Sequence, residues 1–212
     1  MNKLLKVFAL FTLMWLPVIA NAMPLAYVED VHYKKTAQLQ TRSDTSKVEV
    51  VELFFYGCPH CFNLEPYVED WKETLPEGVS FRYVPAVFKE SWAPLAKAFY
   101  AADKLGVLDK LHPLFFEAIH VDGQRIYSEE AIADFVAEHN IDREKFLSAM
   151  NSFSVKTKVN KAQKMTNTSG ITGVPSLIVN GKYFTGASLA GSEEEIFTVV
   201  NFLINQEKQD EE

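Results

Sequence analysis

Val48-Glu49-Val50-Val51-Glu52-Leu53-Phe54-Phe55-Tyr56-Gly57-Cys58-Pro59-His60-Cys61 is the stretch around which the chain is organised. Its first eight residues, rich in β-branched and aromatic side chains, predict a strand, and the near-continuous apolar run suggests burial on both faces. Glu52 is the exception, an acid in a strand that should be buried. Pro59 suits the first turn of a following helix, where a missing N–H costs nothing. Cys58 and Cys61 are the only cysteines in 212 residues. A C-x-x-C pair between a strand and a helix is a redox arrangement.

The chain before this stretch reads as an export signal. Lys3 and Lys6 form a basic start, Val7 to Ala20 is uncharged and apolar, and Ala20-Asn21-Ala22 is a small-x-small cleavage pattern. The apolar core is shorter than the roughly 18 residues of a membrane span, so residues 1–22 read as a signal peptide cut at Ala22-Met23. Losing two lysines turns 21 basic residues into 19 against 28 acidic, and the net charge from −7 to −9. That balance excludes a nucleic-acid binder, which needs a basic surface. The remaining chain is long enough to bury a core without staples, and an i, i+3 disulfide closes too short a loop to stabilise much. Two cysteines in such an exported protein are therefore expected to do chemistry.

Outward from the cysteines, a helix is expected from about Cys58 to Thr74, kinked at Pro66 and ended by Leu75-Pro76-Glu77-Gly78. Val79 to Val84 then alternates as a strand ending at Pro85. This strand, helix, strand order implies a parallel βαβ unit. From Ser91 to about Thr168 only helices are expected: Trp92–Leu105 capped by Ser91, one marked by Leu108, Leu111, Phe115 and Ile119 and disturbed near Pro113, Glu129–His139 capped by Ser128, Arg143–Met150 capped by Asp142, and Phe153–Asn167 opened by Ser152. Val174 to Val179 and Lys182 to Thr185 flank Asn180-Gly181, the strongest short hairpin signal. Glu193–Asn205 closes the fold as a helix, and Gln206 to Glu212 is expected to be a solvated, frayed end. The class is α/β, with an all-helical subdomain at 88–160 inserted between the β-containing pieces 23–87 and 161–212.

Thiol–disulfide exchange needs a thiolate, and Cys58 at a helix N-terminus faces unpaired N–H groups that stabilise one. His60 adds a positive or hydrogen-bonding group beside it, while Cys61, one turn in, is expected to be the buried resolving thiol. Stabilising the Cys58 thiolate favours the reduced pair and makes the disulfide an oxidant. Three rivals stand beside this reading. A zinc site would draw on His32, His60, His112, His120 and His139, none at recognised spacing. A peptide-binding chaperone would use Phe54, Phe55, Phe62 and Val174 as a groove. A reductase or isomerase would run the same chemistry in another direction.

The stretch Phe54 to Cys61, with Leu75-Pro76-Glu77-Gly78-Val79, Gly173-Val174-Pro175, Asn180-Gly181-Lys182-Tyr183 and the inserted helices, resembles the DsbA family, periplasmic oxidases of the thioredoxin superfamily. Low-pKa cysteines and oxidising couples are established for that family, so the resemblance implies the same direction of reaction. It implies a thioredoxin-like fold, a central mixed sheet flanked by helices, and a redox-active Cys58–Cys61 disulfide. Pro175 then corresponds to a cis-proline beside the disulfide, where with Val174 and Phe62 it would contact an extended substrate. Glu52 matches a buried acid that serves proton transfer at the buried cysteine, and Arg82 stands one residue away from that acid's partner lysine. The resemblance further implies a periplasmic monomer with no bound cofactor. Its substrates would be reduced exported proteins, and a DsbB-like inner-membrane oxidase would restore the disulfide. The superfamily's isomerases use a separate N-terminal dimerisation domain, for which residues 23–47 are too few.

Overall fold

The computed structural model describes residues 27–210, so the expected signal peptide and its cut at Ala22-Met23 lie outside the described residues. Five strands, β1 (Lys34–Lys35), β2 (Val48–Phe54), β3 (Val79–Pro85), β4 (Ser176–Val179) and β5 (Tyr183–Thr185), form one mixed sheet in the order β1-β5-β4-β2-β3. All seven residues of β2 are buried, as its apolar run requires, because it lies between β3 and β4. It pairs parallel with β3 and antiparallel with β4, with Glu52 opposite Tyr83 and Leu177. At the β4–β5 turn Asn180 and Gly181 both have positive φ, 49° and 70°, the backbone an Asn-Gly hairpin supplies. A Cβ on Gly181 would lie 2.3 Å from the Gln40 carbonyl oxygen, so the loop before β2 can close over this turn only on glycine.

Helix α1 (Pro59–Lys72) follows the cysteine loop and, with the C-terminal helix α8 (Glu193–Asp210), covers one face of the sheet. Leu64, Val68 and Trp71 meet Val200, Leu203 and Ile204 there, over Val48, Val50, Leu177 and Val179. Between β3 and β4 lie α2 (Ala93–Leu105), α3 (Leu108–His120), α4 (Glu129–Glu138), α5 (Arg143–Met150) and α6 (Phe153–Thr168). The serine and aspartate caps fall where the sequence puts them: Ser128, Asp142 and Ser152 each accept from the N–H three residues on. Helix α6 runs unbroken through residue 160 and serves two layers. Val155 and Val159 face Ala96, whereas Ala162 and Met165 face Val51 and Ile178 of the sheet. Among the described residues no helix is long and apolar enough to cross a membrane.

Local expectations differ from the structure at three places. Ser91 does not cap a helix. It lies inside a 3-10 turn, Glu90–Trp92, and α2 starts afterwards at Ala93, with proline in its first turn, where no N–H is missed. A four-residue helix, α7 (Ala187–Ala190), is too short to leave a periodic signal. The tail is not frayed as far as Asp210: α8 continues through it because Glu207 falls on the face of Val200, Leu203 and Ile204 and is fully buried. Its Oε2 accepts from the Asn180 amide and lies 2.7 Å from Lys182 Nζ, so the hairpin turn partners one oxygen of this buried acid.

Candidate active site

Phe54, Tyr56 and Cys61 are buried in the core of the helical block, among Phe99, Phe115, Phe116 and Phe146. The loop between β2 and α1 is thus held by the inserted helices as well as by the sheet. Gly57 belongs to that packing, since a Cβ there would lie 2.5 Å from the Phe55 ring. Cys58 is the N-cap of α1 in extended conformation, with Pro59 as the first helical residue. Its carbonyl accepts from the Cys61 and Phe62 N–H groups at 3.1 and 3.2 Å, starting the helix.

Both cysteines are free thiols, and the helix start makes them unequal: Cys58 is half-buried and Cys61 wholly buried. The Cys58 pKa is lowered to about 6. The Cys61 thiol hydrogen bond contributes most, against burial; the Cys61 and His60 N–H groups and the His60 charge add to it. Burial pushes the Cys61 thiol well up, and the charges of Cys58 and Glu52 push the same way. His60 adds to the stability of the Cys58 thiolate through its N–H and its charge, the charge being the smallest of these contributions. Its side chain is 75% exposed, and its Nδ1 lies 3.8 Å from Glu193 Oε1 at the start of α8.

The loop before β4 completes the site. Cys58 Sγ lies 3.4 Å from the Val174 carbonyl oxygen, and the Val174–Pro175 peptide bond is cis. Phe55 stacks on Trp92 at 3.9 Å between ring centres, and Phe88 meets the Trp92 edge. Phe62 is close to the cysteines but its ring stacks on His120 of α3 at 5.1 Å, so it joins α1 to the helical block.

Glu52 lies behind Cys61 on the α1 face of β2, fully buried, and neither carboxyl oxygen has a hydrogen-bond partner. Burial raises its pKa well above the carboxylate range, and Glu65 is the next cause. Arg82 is not near it. Adjacent strand residues point to opposite faces, so Tyr83 stands beside Glu52 while Arg82 reaches Glu49 on the other side, with Nε and Nη2 both at 3.0 Å from its oxygens. Lys72 of α1 is instead the positive charge that acts on Glu52.

The sequence offers His112 only as a conceivable zinc ligand, yet it is buried at the centre of a polar chain. Its Nδ1 meets the Tyr56 hydroxyl at 2.7 Å and its Nε2 meets Glu65 Oε1 at 3.2 Å. The available signal was its position on α3: His112 follows Leu111 and lies four residues before Phe116, inside the apolar face.

A half-exposed, acidic thiol at a helix start, a buried partner one turn on, and a facing cis-proline loop on a thioredoxin-like sheet define a thiol:disulfide oxidoreductase. Comparison with known proteins narrows the class. The DSBA-like thioredoxin domain matches residues 68–194, beginning after the cysteine pair. The thiol:disulfide interchange protein DsbA of Azotobacter vinelandii is 45% identical over 162 residues, 76% of each chain. That of Pseudomonas aeruginosa PAO1 is 42% identical over 166 residues, 78% of this chain and 79% of the relative. The crystal structure of Pseudomonas aeruginosa DsbA superposes with a TM-score of 0.82 at 38% identity, covering 87% of this chain and 96% of that one. The chain belongs to the DsbA family.

Proposed function

We propose that the protein works in the periplasm, after loss of residues 1–22, as an oxidase of cysteine pairs in exported proteins. The observation that carries this reading is the inequality of the two thiols, Cys58 half-exposed with a pKa lowered to about 6 and Cys61 buried with a pKa well raised. A substrate thiolate attacks Cys58 Sγ, the Cys58–Cys61 bond breaks, and Cys61 leaves with the electron pair. A second substrate thiolate then attacks the substrate sulfur of the mixed disulfide and releases Cys58 as a stabilised thiolate. The cysteine pair carries the electrons itself, without a resident cofactor, and a DsbB-like membrane oxidase removes them.

Burial supports a role for Glu52 as proton donor. Cys61 leaves as a thiolate in a site with no water contact and a raised pKa, so it needs a proton at once. Glu52 is protonated in the same apolar layer and supplies it. Pro59 fixes the helix start, His60 adds a modest charge, and Val174 and Pro175 present backbone to the substrate as an added strand would. Phe62 contributes apolar surface at the rim.

Equilibration with glutathione tests the direction. Held near about −200 mV, the pair should be mostly reduced; finding it mostly oxidised there would remove the oxidase assignment. Cys58→Ser should abolish turnover, whereas a peptide-binding chaperone would keep its effect.

A further inference from the structure

We propose that His112 is a positioning residue for proton delivery to Cys61: by donating to the Glu65 carboxylate it fixes a negative charge against Glu52 and so keeps the Glu52 proton in place. The proposal rests on Glu52 as the proton donor.

The hydrogen-bond chain sets the direction of each proton. Tyr56 is fully buried, and burial together with the Glu65 charge keeps its phenol protonated. That phenol therefore donates to His112 Nδ1, which leaves the imidazole hydrogen on Nε2, aimed at Glu65 Oε1 at 3.2 Å. His112 then has both nitrogens satisfied. Tyr83 Oη donates to Glu65 Oε2 at 3.2 Å or to Glu69 Oε1 at 3.0 Å. Glu65 is thus the acid of this group that is held by two other elements, α3 and β3.

Glu52 faces the result. The groups acting on it are Cys58, Glu65, Glu69 and Lys72 of α1, with Cys61 on the same helix and Tyr83 across the ladder. Lys72, the cation among them, is bound at 2.6 Å to Glu69, so it answers that acid first. Around His112 itself stand Tyr56, Glu65, Glu69 and Tyr83, with the rings of Phe54, Phe99 and Phe116. An ionised Glu65 is the strongest charge acting on Glu52, and it favours the acid form of Glu52.

In the step concerned, the substrate sulfur bonds to Cys58 Sγ and the Cys58–Cys61 bond breaks. The electron pair goes to Cys61 Sγ, and the proton passes from Glu52 to that sulfur. The Glu52 carboxylate left behind takes a proton from solvent. Glu65 and His112 line a cavity of about 1240 Å³ along the free edge of β3, with Tyr83, Lys72 and Glu69, which brings water to this side of the acid cluster.

Reduction of the oxidised protein by a small thiol, followed by stopped flow from pH 5 to 9, tests the idea. The ratio of variant to wild-type rates cancels ionisation of the thiol reagent. His112→Phe should fall progressively below wild type as pH rises, its alkaline limb moving down by about one pH unit, or tenfold at fixed high pH. A ratio that stays flat overturns the proposal. Glu65→Gln, which keeps the shape and removes the charge, should give the same shift and decides the matter should His112→Phe fail to fold. The double variant should shift no further than either single one; additive shifts would overturn the route through Glu65. Glu52→Gln separates the two layers of the reading. If it keeps the wild-type alkaline limb, Glu52 is not the donor. If it loses the limb while His112→Phe keeps it, only the role of His112 fails.

Discussion

Glu49 and Glu52 are three residues apart on β2, equally buried, and opposite in every other respect. Glu49 accepts two bonds from Arg82 and two from Ser43. Burial alone would raise its pKa, but the Arg82 and Ser43 bonds outweigh it and hold the carboxylate below its usual range. Glu52 accepts nothing, and burial with a neighbouring acid keeps its proton on. The difference comes from what covers each face of the strand. The loop around Ser43 and the side chain of Arg82 cover the first; α1, offering Cys61 and two more acids, covers the second. A buried acid with partners fastens the fold, and one without them is a proton store.

This contrast is broken or sharpened most directly at Glu52. Glu52→Gln should slow reduction of the disulfide about a hundredfold, the ordinary range of acid–base catalysis, in a stopped-flow assay at pH 7. An unchanged rate would make Glu52 an accident of packing. Glu49→Leu should act on stability alone, lowering it by about 2–3 kcal/mol, less than a wholly buried pair because the Arg82 side chain is 31% exposed. Urea unfolding measures this, and the rate per folded molecule should match wild type; a parallel loss of rate would erase the distinction between the two faces. Glu52→Leu should instead stabilise by about 1–2 kcal/mol. Because the folded pKa of Glu52 is raised, its contribution is most favourable below the unfolded value near 4.5 and is lost as pH rises. The gain from Glu52→Leu should therefore be larger at pH 8 than at pH 5.

The sequence carried one side of this contrast better than the other. The strand, the helix start, the hairpin and the three helix caps are local features, set by residues within a turn of one another, and they were legible. Glu52 stood out because it interrupts an apolar run. Its lack of a partner did not, since that depends on Arg82 pointing to the opposite face. His112 was hidden for the same reason. Its bonds to Tyr56 and Glu65 span 56 and 47 residues and arise only when α3 is laid against the cysteine loop. Glu207 shows the reverse error: a charged tail reads as solvated, and only the Asn180-Gly181 turn, 27 residues earlier, gives it partners.

The cysteines repeat the pattern of the two acids, and the smallest expected effect tests whether the likeness is more than formal. Cys58, like Glu49, has donors that favour its charged form, the Cys61 thiol first and then the N–H groups of Cys61 and His60; Cys61, like Glu52, is kept neutral by burial. A lowered folded pKa adds stability that is complete above the unfolded value near 9 and is lost as pH falls through about 6. The reduced protein should thus gain stability over the oxidised one between pH 6 and 9. Discounted for a half-exposed sulfur, the gain is about 1 kcal/mol. Paired urea titrations of the two redox forms at pH 5.5 and 8.5 measure it, with Cys58→Ser as the reference that should show no such rise. A reduced form that gains nothing would mean that the Cys61 thiol stabilises the Cys58 thiol as well as its thiolate. The oxidising power of the pair would then have to come from the disulfide form.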